Sequence, residues 1–303
     1  MLTQIPPFGV FVLVKNSLDS LHLSNLTRVS HYCMPKEWII NILEHPRQNQ
    51  LLNALPEEVL ARLKPHLEYV EMAFGDVLYE VDSASPHVYF PITSIVSLLY
   101  GMENGASTEV AVVGHEGMVG IALFMGGETM PNRAVVESAG YGYRLKPRFL
   151  KEEVNQGGAV LHLLLRYTQA LITQMSQTAV CNRYHTLDQQ LCRRLLLSLD
   201  RLHTNELVMT QELLSNMLGV RREGVTEAAG KLQRAGLIQY SRGRITILNR
   251  AALEERVCEC YGVVKKEFER LLPGLRMDRH ACVPTRFPAA TQKSTQTPLS
   301  KAA

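Results

Sequence analysis

The residues best equipped for chemistry lie between Gln211 and Arg244. Arg221, Arg222, Glu223, Thr226 and Glu227 follow one another closely, and their side chains suit the base edges of a DNA major groove. Arginine pairs with O6 and N7 of guanine, and glutamate accepts from N4 of cytosine. Arg242 and Arg244 flank Gly243 and suit phosphate contacts, which position a protein on a duplex without specifying sequence. The other reactive types are scattered. The cysteines are Cys33, Cys181, Cys192, Cys258, Cys260 and Cys282, with no CxxC pair. Their spacing indicates neither a zinc site nor a disulfide framework, and free thiols suit a reducing cytoplasm. Cys258-Glu259-Cys260 is too closely spaced for an ordinary chelate and is expected to pack or face solvent. His87, His115 and Glu116 are the remaining ligand candidates, but loop histidines are usually just solvated, so no metal is expected. With no nucleophile elbow, P-loop, HExxH or Rossmann glycine set, the chain is not expected to be an enzyme.

To reach a groove, such side chains must sit on a helix held across a second helix by a tight turn. Counting Gln211 as the first position, Leu214 is fourth and the small Ser215 fifth. Leu218, Gly219 and Val220 are eighth to tenth, and Val225 and Ala228 are fifteenth and eighteenth. Every apolar and small place of a helix-turn-helix is filled. Thr210 is placed to cap the first helix. Val225, Ala228, Ala229 and Leu232 form the inner face of the second, leaving its arginines, glutamates and Thr226 outward. The β-prone runs Leu237 to Tyr240 and Ile245 to Leu248 flank Arg242-Gly243 and predict a small hairpin, a wing.

Upstream, Leu51 to Leu67 reads as a short amphipathic helix. Val88 to Phe90, Ser94 to Tyr100, Thr108 to Val113, Arg133 to Val136 and Gly142 to Leu145 are short β-rich runs between turn residues. Glu103-Asn104-Gly105 signals a type I′ hairpin, and the whole predicts an antiparallel barrel or β-roll. Ala159 to Cys181 predicts a long helix whose apolar stripe is wide enough for its own domain and a partner helix. Leu187 to Leu202 predicts a second helix, and one more is expected from Ala251 to about Leu272. The expected fold class is α+β: an N-terminal β-roll, a long helix and a C-terminal winged helix-turn-helix. The expected division is an extension at 1–45, a β-roll sensor at 46–155, the long helix and connector at 156–203, a DNA-binding domain at 204–275, and a disordered tail at 276–303 rich in Pro, Thr, Gln and Ser.

Charge follows this division. Pro46 to Asn155 holds 8 Lys/Arg against 14 Asp/Glu, whereas Asn205 to Arg250 holds 7 against 4. An acidic first half and a basic second half suit a protein that presents one module to a polyanion. No run of 18 apolar residues predicts a membrane span. Ile5 to Val14 is broken by Pro6 and Pro7 and lacks a positive flank, so no signal peptide is expected, and Met34 is a candidate natural start.

From about Gln50 to Leu272 the order and spacing of parts resembles the Crp/Fnr family of bacterial transcription regulators. Leu218-Gly219-Val220-Arg221-Arg222-Glu223-Gly224-Val225, followed by Leu232-Gln233-Arg234-Ala235-Gly236-Leu237-Ile238, carries the resemblance. It implies a homodimer joined along the long helix, a palindromic double-stranded DNA site with half-site centres roughly 34 Å apart, and RNA polymerase as a further partner. The family's base-reading Arg-Glu pair falls on Arg222 and Glu223. Glu227 stands where the cyclic-AMP-responsive members carry another Arg, so their operator is not expected here. The family's phosphate cassette falls on Gly117 to Leu123 and Pro131 to Ala134. Gly120 is kept, but Ile121 replaces the carboxylate that would hold the ribose, and Arg133 is shifted, with Ala134 after it. Loss of such a buried partner costs about 1–3 kcal/mol. Cyclic AMP is therefore not expected, the effector stays open, and Gly120 and Arg133 are the candidate pocket residues. Iron–sulfur members need a close N-terminal cysteine cluster, and Cys33 stands alone. The alternative reading is a ligand-binding or scaffold protein whose winged helix contacts protein, since Glu223 and Glu227 repel phosphate.

Overall fold

The β-rich stretch folds into two antiparallel sheets. A computed structural model describes residues 45–274 apart from 104 and 203; the expected N-terminal extension and C-terminal tail lie outside the described residues. Strands β1 (Glu68–Met72), β7 (Gly140–Leu145) and β3 (Val88–Pro91) pair in the order β1-β7-β3. Strands β2 (Val77–Tyr79), β6 (Arg133–Ser138), β4 (Ile95–Gly101) and β5 (Ser107–Val113) pair in the order β2-β6-β4-β5. This is the expected β-roll, with β1 and β2 as strands the sequence pattern had not marked. Ile95 to Leu98 are all buried, so this end of β4 is covered on both faces and shows no alternation.

The β4–β5 connection differs from the expected type I′ turn. The Gly105 N–H donates to the Met102 carbonyl at 2.9 Å, and the Met102 N–H donates to Ala106 at 2.7 Å. Gly105, at φ +83°, therefore follows the two central positions as a bulge residue instead of occupying the second of them. Asn104 lies outside the described residues.

Two expected helices are broken. Leu51 to Leu67 divides into α1 (Gln50–Asn53) and α2 (Glu57–Leu63), because Pro56 disfavours helical backbone at Leu55. Helix α3 (Pro147–Asn155) leads to the long α4 (Gly158–Tyr184), and Gly157 and Gly158 turn the chain at φ +72° and +69°. Helix α5 (Leu187–Leu199) starts with a full capping box between Thr186 and Gln189. The last expected helix is two, α8 (Arg250–Arg256) and α9 (Glu259–Leu271), separated by extended Val257 and Cys258. They part because α8 packs on α5 while α9 packs along α4.

The main apolar core runs through the described chain, from Leu51 and Leu52 through the β-roll to Leu271 and Leu272, beside a small buried cluster of Cys181, Cys258 and Cys260. Helix α4 lies over β5, where the Gln174 side-chain amide donates to the Val112 carbonyl at 3.0 Å. No described helix is long and apolar enough to cross a membrane.

Candidate nucleic-acid interface

Helix α6 (Gln211–Leu218) begins where Thr210 Oγ1 accepts from the Leu213 N–H at 3.1 Å. It stops at Gly219, whose φ of +65° suits a residue without a Cβ. Helix α7 (Arg222–Arg234) follows after Val220 and Arg221. Leu214, Met217 and Leu218 of α6 are buried, as are Val225, Ala228, Ala229 and Leu232 of α7. The inner face is the one the spacing predicts.

Strands β8 (Glu206–Val208), β9 (Ile238–Ser241) and β10 (Arg244–Ile247) form the wing sheet in the order β8-β10-β9. Its tip is a two-residue turn with Arg242 at φ +49° and Gly243 at φ +75°. Both values are positive, as a type I′ hairpin requires. Ser241 faces Arg244 across it.

All seven predicted reading residues, Arg221, Arg222, Glu223, Thr226, Glu227, Arg242 and Arg244, are exposed. Their neighbours set what each has to give. Arg222 Nε donates to Gln211 at 3.4 Å, a long bond that a base edge can replace. The Thr226 hydroxyl donates to the Arg222 carbonyl at 2.9 Å. Glu227 pairs with Lys231 at 3.1 Å, which offsets its repulsion of phosphate. Arg244 pairs with Glu206 at 2.9 Å. Arg221 and Arg242 have no ion pair among the described residues. The surface therefore offers arginines along one helix N-terminus and one hairpin tip, over a fully packed frame.

Residues 189–256 match the sequence profile of the Crp-like helix-turn-helix domain. This is a Crp-like helix-turn-helix domain. The match begins inside α5 and ends with α8, so α5 is part of the unit. No curated protein matches the chain. Among solved structures, FixK2 from Bradyrhizobium japonicum is 16% identical with a TM-score of 0.54, covering 63% of this chain and 98% of that one. A CRP-family transcriptional regulator from Thermus thermophilus is 19% identical with a TM-score of 0.53, covering 61% and 95%. The c-di-GMP responsive global regulator CLP from Xanthomonas campestris is 14% identical with a TM-score of 0.51, covering 63% and 99%. These likenesses show a shared Crp/Fnr fold.

The Crp-like domain is fastened to the β-roll by buried charge, which sequence reasoning missed. Arg194 of α5 lies between Glu109 of β5, at 2.7 Å, and Glu137 of β6, and all three side chains are buried. The Ser97 hydroxyl lies 2.6 Å from Glu109 and 3.0 Å from Glu137. Burial pushes the Glu109 carboxyl up to about 7; Arg194 opposes the shift and Glu137 adds to it. Arg201, after α5, binds Glu116 at 2.8 Å and Gln174 of α4 at 3.1 Å. Glu116 is thus held by an arginine. The available signal was charge inside an almost wholly apolar stretch, Leu191 to Leu199.

Inside the β-roll, a cavity of about 430 Å³ is lined by Tyr79, Leu98, Gly120, Ile121, Leu171 and Met175, among others. None of its lining residues is a Lys, Arg, His, Asp or Glu. Gly120, at φ +103°, is at its wall. Arg133 is outside it, exposed on β6 and 3.1 Å from Glu80.

Proposed function

We propose that this chain is a sequence-specific DNA-binding transcription regulator that acts as a cytoplasmic homodimer. The observation that carries the reading is the exposed set on α7 and the wing, above a helix-turn-helix frame whose inner positions are all filled. Arg222 and Glu223 read bases, with Arg221, Thr226 and Glu227 beside them, while Arg242 and Arg244 hold phosphates. We assign 46–155 to the sensor, 156–203 to the long helix and connector and 204–275 to the DNA-binding module, with the Crp-like match reaching back into α5 of the connector. RNA polymerase is the expected further partner.

Dimerisation is assigned to α4. Leu165 and Ile172 are exposed and seven residues apart, so they share one face of the helix. Control is assigned to the cavity, whose wall runs from Gly120 and Ile121 to Leu171 and Met175 of α4. An occupant touches the long helix directly, and a bias of a few kcal/mol suffices to shift a two-state seam. The lining suits an uncharged apolar molecule. A cyclic phosphate would find no cation there.

The deciding experiment is selection from random duplexes with the full chain at two salt concentrations. A palindrome with half-sites roughly 34 Å apart is expected, with affinity falling steeply with salt. Recovery of no sequence preference, together with salt-independent capture of a protein partner, would overturn this reading for one in which Glu223 and Glu227 face protein. In parallel, Ile172→Glu is expected to halve the molar mass seen by light scattering.

A further inference from the structure

Four donors from two distant stretches converge where α4 ends. Cys181 and His185 sit one helical turn apart, so they face the same side. Cys258 lies in the break between α8 and α9 and Cys260 in the first turn of α9, a break that a single continuous helix would have lacked. One donor atom from each of the four lies within 4.8 Å of all the others. Cys181 Sγ is 3.5 Å from Cys258 Sγ, and Cys260 Sγ is 3.5 Å from His185 Nδ1. A tetrahedral zinc with Zn–S bonds of about 2.3 Å separates its ligand atoms by about 3.8 Å, so the four are already spaced for one ion. Ligands on opposite irons of a two-iron cluster stand farther apart than that.

We propose that Cys181, His185, Cys258 and Cys260 bind one zinc ion as a closed structural site, which fastens the C-terminal end of α4 to the start of α9. Three sulfurs and one imidazole select a borderline-soft cation and disfavour calcium or magnesium. All four positions are filled by protein, and the three cysteines are buried, as in a structural centre and unlike an open catalytic one. The surroundings add two independent arguments. His185 Nε2 lies 3.4 Å from Glu259 Oε1; a proton held there leaves Nδ1, the atom facing Cys260, as a neutral donor to metal, the usual carboxylate support of a ligating histidine.

Arg193 supplies the second argument. It is buried, its NH2 group donates to Thr178 at 2.9 Å, and its Nε has no hydrogen-bond partner among the described residues. It lies within electrostatic reach of Cys181, Cys260 and Cys258, and after them of Glu109, which is already ion-paired with Arg194. A buried cation needs a counter-charge. A divalent ion held by three thiolates and a neutral imidazole carries one net negative charge and supplies it. The ion would close a loop of 77 residues between Cys181 and Cys258, a long constraint on the unfolded chain. It would also make the segment after the wing move with the long helix.

The full chain, purified in reducing buffer, is expected to carry one zinc per chain by elemental analysis, and a Cys258→Ser, Cys260→Ser double variant none. Cobalt titration of the chelator-stripped wild-type chain keeps the test decisive if that variant does not fold. Tetrahedral ligand-field bands and sulfur-to-cobalt charge transfer should saturate at one equivalent and vanish with one equivalent of zinc, and His185→Gln should shift those bands. Folded wild-type chain with no zinc and no cobalt spectrum would overturn the proposal. So would iron with acid-labile sulfide, or a Cys181–Cys258 disulfide in the alkylated protein.

Discussion

At the scale of single residues, chemistry and packing make different demands on side chains that look alike in the sequence. Arg222 is exposed and, among the described residues, its side chain is held by one long bond to Gln211, so its removal should leave the fold intact and act on DNA alone. Arg222→Ala is expected to cost about 1–3 kcal/mol on the selected site and to relax choice at one base pair per half-site. Equal losses on selected and random duplexes, in competition binding, would refute its role in reading bases. Gly117 has a purely steric role. A Cβ there would lie 2.4 Å from the Tyr167 ring and hydroxyl, and that ring is buried with its hydroxyl donating to the Met118 carbonyl at 2.8 Å. Gly117→Ala should therefore destabilise by about 1–3 kcal/mol through overpacking, seen as a lower urea midpoint. Pairing it with Tyr167→Leu should recover part of the loss; an unchanged midpoint in the single variant would contradict the contact.

At the scale of elements, the wing separates stability from function. Arg242 stands at φ +49°, a conformation that costs most side chains roughly 1–2 kcal/mol but that asparagine tolerates. Arg242→Asn is thus expected to raise the melting temperature while weakening DNA binding on every sequence alike, with the salt slope reduced by about 1. A variant that binds as well as wild type would show that the wing tip does not reach phosphate. The wing and the two helices before it were legible in the sequence because their frame is local: Leu214, Gly219, Val225 and Ala228 declare it within a few turns. Elements fixed by distant partners were less legible. Glu68–Met72 became a strand by pairing with β7, whose partners lie 68 to 76 residues later. The α8–α9 break reflects packing on two different helices, which no local propensity records. For the same reason Cys258 and Cys260 read as a poor chelate until the fold brought Cys181 and His185 beside them.

The whole molecule is joined at a charge cluster that a sequence cannot display. Glu109 and Glu137 lie 85 and 57 residues before Arg194, and the leucines around Arg194 hint that it is buried without saying which carboxylates meet it. Among the described residues, Arg194 alone forms ion pairs with the two buried carboxylates, Arg193 reaches Glu109 only through the electrostatic field, and a proton on Glu109 relieves the crowding of Glu109 and Glu137. The shift, up to about 7 from the ordinary 4.5, is caused first by burial, with Arg194 acting against it and Glu137 with it. A carboxyl raised in the folded state binds a proton there that the unfolded chain has released. Its contribution is therefore complete below about pH 4.5 and lost as pH rises through about 7. Glu109→Gln keeps a hydrogen-bonding side chain but cannot ionise. It should flatten the fall in unfolding free energy across that window and leave the variant more stable than wild type above pH 7, relative to their order at pH 5. Arg194→Met should do the reverse, costing about 3–5 kcal/mol by stranding two carboxylates, and the cost should grow as pH rises. Urea midpoints at pH 5, 6, 7 and 8 test both variants. Curves for wild type and Glu109→Gln that run parallel would mean that the carboxyl stays ionised throughout and that Arg194 compensates both glutamates. Converging or crossing curves would identify the seam between β-roll and DNA-binding domain as the part of this protein whose strength follows pH.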